Sequence, residues 1–153
     1  MPAWTAGMQV QVSDPKVVDL PLVFSALPSR EAKGIEPAFA RAGTVVCSNA
    51  SAYREASDVP ILLPEVNPEH AAIVPRQRDE RGWSGAIVTN SNCTSTGMSV
   101  ALKALQDSFG VGRVFAVSMQ AVSGAGYPGV ASLDILDNVV PYIGGEEPKV
   151  ESE

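Results

Sequence analysis

The sequence predicts an α/β protein with a parallel sheet, followed by a shorter region of a different pattern. Up to about Asn90, short and nearly continuous apolar runs alternate with stretches of helical character. Strands that are covered by helices on both faces have this pattern. After Asn92, a longer amphipathic helix and a glycine-rich loop replace it. We therefore divide the chain into a first region, residues 1–90, and a second region, residues 91–153.

Three buried strands are predicted in the first region. They lie within Pro21 to Pro28, Thr44 to Ala50 and Gly85 to Asn90, each an apolar run of strand length bounded by turn residues. Between the second and third strands, the pair Asn67-Pro68 is typical of a helix start, and Pro75 should disturb that helix.

A helix is predicted between the first two strands. Ser29 suits the N-cap position, and Gly43 suits the end of the helix. Gly34 and Pro37 are poor helix formers inside this stretch, so we expect a kinked helix or two short pieces.

The second region begins with a predicted amphipathic helix that ends at Gly110. A strand over Arg113 to Gln120, a glycine-rich loop over Ser123 to Gly129, and a partly helical stretch over Leu133 to Ile143 are expected to follow. The charged tail resembles the start of another helix. The apolar face of the amphipathic helix before Gly110 is made of Met98, Ala101, Leu102, Leu105 and Phe109.

Composition excludes several classes of function. A chain of 153 residues has room for one domain or two partial ones, and its net charge of -6 disfavours nucleic-acid binding. No apolar run is long enough to cross a bilayer, and no secretory signal is present. The two cysteines form no CxxC pair, so we predict no metal site and a reducing, cytoplasmic location.

Cys93 is the candidate nucleophile, because "TNSNCTSTG" places it where a strand gives way to a helix. The free N–H groups and positive dipole end of a helix favour a thiolate and can stabilise an oxyanion. Most cysteines are simply small core groups, and Cys47 in the apolar "TVVCS" fits that description. Cys93 has polar neighbours, but local chemistry alone leaves both interpretations open.

A resemblance to a known family favours the nucleophile. "NCTSTG", "MQAVSGAGYPGV" and "SLDILDNVVPYIGGEE" are similar to segments of the aspartate-semialdehyde dehydrogenases, most closely the fungal and archaeal branch. "VFSALP", "IEPAFARAG", "SNASAYR" and "PEVNPEH" resemble the same family in the same order. The resemblance implies a partial Rossmann-like NADP-binding domain without its first βαβ unit. The start of an α+β catalytic and dimerisation domain would follow.

The resemblance also implies an activity and the residues that carry it. These enzymes convert L-4-aspartyl phosphate to aspartate semialdehyde with NADP, through a cysteine thioester, in amino-acid biosynthesis. Cys93 would be the nucleophile, and Gln120 would lie beside the reacting carbonyl. Substrate and phosphate would be bound by Arg54, Asn92, Glu146 and Lys149, and NADP by Asn67, Ser123, Gly124 and Gly126. Taken singly, these residue types occur more often in ordinary surface, turn or helix-end positions.

Two departures predict an incomplete chain. No GxGxxG-type cluster follows an early strand, and the only histidine, His70, does not occupy the family's acid/base position. We therefore expect an internal fragment with little activity alone, part of a homo-oligomer when complete. The alternatives are a malonyl-CoA reductase, which shares the thioester chemistry, and a non-catalytic truncated subunit that acts only in association.

Overall fold

The computed structural model describes residues 2–125, 130 and 135–153, which fall into two compact units. The first unit is Met1–Ser91 and the second is Asn92–Glu153. The division lies one residue beyond the predicted one. In the described part of the chain, no helix is long and apolar enough to cross a membrane.

The first unit is built on a three-stranded parallel sheet, as the sequence predicts. The strands lie in the order β1 (Leu22–Ser25), β2 (Val45–Ser48) and β3 (Ala86–Thr89). Both pairings are parallel and in matching register, so Ser25, Ser48 and Thr89 end the three strands at one edge. This carboxyl edge of the sheet is the place where α/β proteins bind ligands.

Helix α1 (Ser29–Arg41) connects β1 to β2 and is continuous across Gly34 and Pro37, so the expectation of two short pieces is wrong. Pro37 cannot donate a hydrogen bond to the carbonyl of Lys33, and the hydroxyl of Tyr53 donates to that oxygen instead, at 2.7 Å. The N-cap is Pro28 rather than Ser29. Gly43 follows the helix end with φ 105°, as expected for a residue that stops a helix.

The outer edge of β3 is closed by side-chain and loop groups rather than by a fourth strand. A 3-10 helix (Pro68–Ala72) leads into α2 (Ile73–Arg81), and Pro75 lies in the first turn of α2, where its missing N–H does no harm. Gln77 of α2 is fully buried and binds both the N–H and the carbonyl of Ile87, at 2.7 and 2.9 Å. Further along β3, loop backbone groups pair with Thr89: the N–H of Thr89 donates to the carbonyl of Pro60, and the N–H of Leu62 donates to the carbonyl of Thr89.

The core of the first unit packs α1 and the segment around Trp83 against one face of the sheet. Its buried members are Phe39, Ala40, Val46, Val59, Trp83 and Ile87. Nearby, Arg81 forms a two-point ion pair with Asp58, with Nη2 at 2.6 Å from Oδ1, and stacks 4.9 Å from the Trp83 ring. The hydrogen bond from Arg81 lowers the pKa of Asp58 below its usual value.

The second unit contains two described α-helices, α3 (Cys93–Phe109) and α4 (Glu146–Ser152). Both were expected, and α3 ends at Gly110 as predicted. The predicted apolar face of α3 is largely uncovered, because Leu105 is 49% exposed and Phe109 is 85% exposed. The apolar pattern was recognised correctly, but no described layer of this unit buries it.

The predicted strand over Arg113 to Gln120 is wrong, since these residues form neither a strand nor a helix. A strand needs a partner to pair with its backbone, and the described residues supply none here. Phe115 and Val117 are therefore almost fully exposed. The helical expectation for Leu133 to Ile143 falls partly outside the described residues. The described portion turns at Asp137, with φ 49°, and then runs on without helix.

Candidate active site

The N-terminus of α3 presents Cys93 to solvent. Asn92 is the N-cap, and its side-chain oxygen accepts a hydrogen bond from the N–H of Ser95 at 2.8 Å. Cys93 is the first helical residue and is exposed. The first two helical positions have no intrahelical acceptor, so the N–H groups of Cys93 and Thr94 face outward at the positive end of the helix.

Thr94, the residue that follows Cys93, belongs to a closed hydrogen-bonded triangle of three side chains. The amide nitrogen of Gln120 donates to Glu146 Oε1 at 2.7 Å and to the hydroxyl of Thr94 at 3.1 Å. The Thr94 hydroxyl in turn donates to Glu146 Oε1 at 3.3 Å. The structure therefore brings together Gln120 and Glu146, two residues singled out in the sequence 26 positions apart.

Helix α4 contacts the start of α3 at both of its ends. Glu146 is its first residue, and the carboxylate of Glu153 accepts a hydrogen bond from the N–H of Asn92. Two carboxylates thus lie near the positive end of α3, where negative charge is favourable. Lys149 lies one turn after Glu146 and is exposed. Among the described contacts, the Glu146 carboxylate is held by Gln120 and Thr94 rather than by Lys149.

The start of the glycine-rich loop lies beside the carbonyl of Gln120. Ser123 and Gly124 belong to a short 3-10 helix, Val122–Ala125. A Cβ added to Gly124 would lie 3.8 Å from Gln120 Oε1, so that oxygen faces the loop backbone. Gly126 lies outside the described residues, and its expected cofactor contact stays a prediction.

In the first unit, the carboxyl edge of the sheet carries a cluster of polar groups. The hydroxyls of Ser25 and Ser48 each donate to Oε1 of the buried Glu36 at 2.6 Å. The Ser48 hydroxyl also accepts from the N–H of Ala50 at 3.0 Å. Glu36 therefore joins the ends of two strands to the loop that follows β2.

Arg54 and Asn90 flank Asn49 in that loop. Arg54 donates to the carbonyl of Asn49 at 3.0 Å, and the Asn90 amide donates to its side-chain oxygen at 2.7 Å. The Asn90 Oδ1 atom is buried and has no hydrogen-bond partner among the described residues. A ligand with an N–H or O–H group would satisfy it.

Asn67 holds a loop of its own unit. Its side chain accepts from the N–H of Leu63 at 2.7 Å and donates to the carbonyl of Ile61 at 3.0 Å. The His70 ring lies 2.9 Å from the same amide and is exposed. Asn67 is thus engaged within the loop, and its expected contact with the cofactor stays a prediction.

The other cysteine, Cys47, lies in β2 and is partly buried. Burial raises the pKa of its thiol, which disfavours the reactive thiolate. Cys47 thus has the character of a small core residue.

Sequence reasoning gave Thr94 and Glu36 no specific role. Thr94 is one of the polar neighbours of Cys93 in the sequence, and a small polar residue is common at a helix start. Glu36 is a charged residue in a helix, which is usually solvated, and only the fold shows that it is 1% exposed.

Comparison with known proteins covers nearly the whole chain. Residues 2–74 match the NAD binding domain of semialdehyde dehydrogenases, and residues 102–153 match their dimerisation domain. An aspartate-semialdehyde dehydrogenase of Archaeoglobus fulgidus is 60% identical over 92% of this chain and 40% of its own length. The crystal structure of aspartate semialdehyde dehydrogenase with NADP from Candida albicans superposes with a TM-score of 0.75 at 38% identity, over 99% of this chain and 43% of that one.

A malonyl CoA reductase (NADP) of Metallosphaera sedula is also similar, at 40% identity over the full chain and 43% of its own length. Its identity is lower than that of the Archaeoglobus fulgidus protein, which favours the aspartate-semialdehyde dehydrogenases. The chain spans about two fifths of the length of these curated relatives, in agreement with the expectation of a partial sequence. The chain belongs to the semialdehyde dehydrogenase family, a family of oxidoreductases.

Proposed function

We propose that this chain is part of an aspartate-semialdehyde dehydrogenase, which reductively dephosphorylates L-4-aspartyl phosphate to L-aspartate 4-semialdehyde. The observation that carries the proposal is the exposed Cys93 at the N-terminus of α3, beside the triangle of Thr94, Gln120 and Glu146. The high identity to proteins named for this activity supports the same assignment.

The proposed reaction uses Cys93 as a covalent nucleophile. Its sulfur attacks the carbonyl carbon of the acyl phosphate, the carbon–oxygen bond to phosphate breaks, and phosphate leaves with the electron pair. The N–H groups of Cys93 and Thr94 are placed to stabilise the oxyanion that forms during attack. The resulting thioester is the intermediate from which the aldehyde is released when the carbon–sulfur bond breaks.

NADP, when bound as NADPH, supplies the hydride for this step. The first unit fits such a cofactor through its polar carboxyl edge, where the buried Asn90 oxygen lacks a partner among the described residues. Arg54 at the same edge and Lys149 on α4 are proposed to bind phosphate or the substrate carboxylate, since cations suit both anions. Ser123, Gly124, Gly126 and Asn67 complete the proposed cofactor contacts.

The charges around α3 favour aspartyl phosphate over malonyl-CoA. Two carboxylates, Glu146 and Glu153, contact the first turn of α3. An ammonium group on the substrate would be attracted to them, whereas malonyl-CoA has no ammonium group that these carboxylates could attract. Malonyl-CoA reduction is therefore the second candidate.

Steady-state assays of the complete enzyme test this proposal. We expect NADP reduction that requires both aspartate semialdehyde and phosphate, and loss of at least a thousandfold of kcat in Cys93→Ala. Cys47→Ala is the matched control and should keep its activity. Oxidation of malonate semialdehyde with CoA, without activity on aspartate semialdehyde, would establish the second candidate instead.

Assembly and location complete the proposal. The match of residues 102–153 to a dimerisation domain supports a homodimer or a dimer of dimers, and the exposed Phe115 and Val117 are apolar groups suited to an interface. We propose a cytoplasmic location on the two unpaired cysteines. The 153-residue chain alone is expected to show little activity, and robust turnover by the purified chain would refute this expectation.

A further inference from the structure

We propose that Thr94 is a positioning residue that fixes the side-chain amide of Gln120, so that Gln120 offers its carbonyl oxygen to the substrate as an acceptor for the ammonium group. This inference rests on the proposed function and deepens it. It names a role for Thr94 and defines which atom of Gln120 meets the ligand.

The hydrogen bonds of the Gln120 side-chain amide fix its orientation. A carboxylate only accepts hydrogen bonds, so the atom of Gln120 that lies 2.7 Å from Glu146 Oε1 has to be the nitrogen. The second hydrogen of that nitrogen is directed at the Thr94 hydroxyl, 3.1 Å away. Both donors of the amide are therefore used, and the group cannot flip without losing both hydrogen bonds.

With its nitrogen engaged, the Gln120 amide has only its oxygen left for a ligand. Its oxygen, Oε1, lies near the backbone at Gly124 and accepts no hydrogen bond among those of the described residues, whereas the nitrogen makes two. A carbonyl oxygen accepts from an N–H or O–H donor and repels a substrate oxyanion. Gln120 thus suits the ammonium group of an amino-acid substrate rather than its reacting carbonyl oxygen.

The third member of the triangle is the Thr94 hydroxyl. It accepts a hydrogen bond from the Gln120 nitrogen and donates one to Glu146 Oε1, and these two bonds close the triangle. Without the hydroxyl, one hydrogen of the Gln120 amide would lack its partner, and the amide would turn more freely. Because Thr94 follows Cys93 directly in α3, the helix holds Thr94 at a fixed place relative to the backbone of Cys93.

Selectivity between an aldehyde with and one without an ammonium group tests the inference. The probes are aspartate semialdehyde and succinate semialdehyde, which lacks only the amino group, with phosphate and NADP in the complete enzyme. We expect Thr94→Val to lower the ratio of kcat/KM for the two probes about five- to tenfold, the effect of one lost hydrogen bond. Thr94→Ser keeps the hydroxyl and should restore the ratio to within twofold.

Ser95→Ala is the matched control, because it deletes a neighbouring hydroxyl that is buried without a partner in the described structure. It should leave the ratio unchanged. In a Gln120→Met background, Thr94→Val should have no further effect on the ratio, since Thr94 acts through Gln120. Additive effects of the two substitutions would overturn the inference.

A second readout does not depend on activity. The side-chain NH2 resonances of Gln120 in a nitrogen–proton correlation spectrum should be dispersed in the wild type. In Thr94→Val, or in Thr94→Ala if valine prevents folding, the proton directed at Thr94 should shift toward the position of a free amide. Unchanged resonances or an unchanged ratio would overturn the inference. A wild-type enzyme without activity on aspartate semialdehyde would instead refute the proposed function, while the resonances would still test the role of Thr94.

Discussion

Replacing Gln77 by Met should destabilise the first unit more than most single substitutions can. The Gln77 side chain is fully buried and makes three hydrogen bonds: two with the backbone of Ile87, at 2.7 and 2.9 Å, and one to the carbonyl of Asp58, at 2.9 Å. Met has a similar shape but neither donates nor accepts in this way. The substitution therefore leaves a buried N–H and two carbonyls without their partner.

The magnitude follows from these three bonds. Each contributes about 1 kcal/mol net, and the orphaned Ile87 N–H adds a desolvation cost, so we expect a loss of about 3–4 kcal/mol. A unit of this size has a free energy of unfolding of about 5–14 kcal/mol. The variant should thus lose a large share of its stability while it keeps the same core volume.

Urea unfolding measures this loss. Trp83 is 8% exposed and reports on the first unit, and Trp4→Phe removes the other tryptophan, which is 76% exposed. The midpoint for Gln77→Met should fall by about 2 M relative to that background. Gln9→Met makes the same chemical change at an exposed position and should cost less than about 0.5 kcal/mol. A loss below about 1 kcal/mol in Gln77→Met would refute the claim that Gln77 closes the edge of β3.

Three further predictions concern stability. The hydrogen bond from Arg81 lowers the pKa of Asp58 from its usual 3.8, so the stability that this pair contributes is present above pH 3.8 and is lost as the pH falls further. Asp58→Asn should therefore lower the free energy of unfolding by about 2 kcal/mol at pH 7 and weaken its dependence on acid pH, as measured by urea titrations. An unchanged dependence on acid pH would contradict the pairing. Gly85→Ala should lower the free energy of unfolding by at least about 3 kcal/mol, because the added Cβ would lie 2.6 Å from a carbonyl oxygen of α1. The Cβ of Gly34→Ala meets nothing within 4 Å, so this variant should stabilise α1 by up to about 1 kcal/mol. Similar melting temperatures for the two variants would exclude the close approach of Gly85 to α1. Asn92→Ala should lower the stability of α3 by about 1 kcal/mol, as measured by circular dichroism, because it removes the N-cap oxygen. Asn92→Asp is the control, since it keeps a side-chain oxygen at the N-cap. Equal loss in both variants would show that the cap does not act through that oxygen.

The elements that the sequence predicted correctly are those whose pattern is local. Continuous apolar runs marked the three strands, and Gly43 and Gly110 marked the ends of α1 and α3. These signals depend on the local spacing of apolar residues and on backbone conformations that glycine adopts readily.

The elements that were predicted wrongly depend on distant partners. Helix α1 does not split at Pro37, and the hydroxyl of Tyr53 binds the carbonyl that proline leaves unpaired. The strand ending at Gln120 does not form because no described segment pairs with it. Neither partner can be read from the local pattern, since each is supplied by the fold.

The candidate site divides in the same way. The place of Cys93 between a strand and a helix made it a candidate, and the resemblance to a family favoured it over the core interpretation. Gln120 and Glu146 were singled out by the resemblance alone. The role of Thr94 could not be recognised, because it arises from hydrogen bonds to residues 26 and 52 positions away.

Mass spectrometry of the trapped intermediate tests the central claim most directly. The complete enzyme is incubated with aspartate semialdehyde and NADP in the absence of phosphate, quenched in acid and digested. We expect an added aspartyl group on the peptide that contains Cys93, with the Cys47 peptide unmodified, and loss of the adduct when phosphate is supplied. Turnover with no adduct on Cys93, or an adduct on Cys47, would contradict the account.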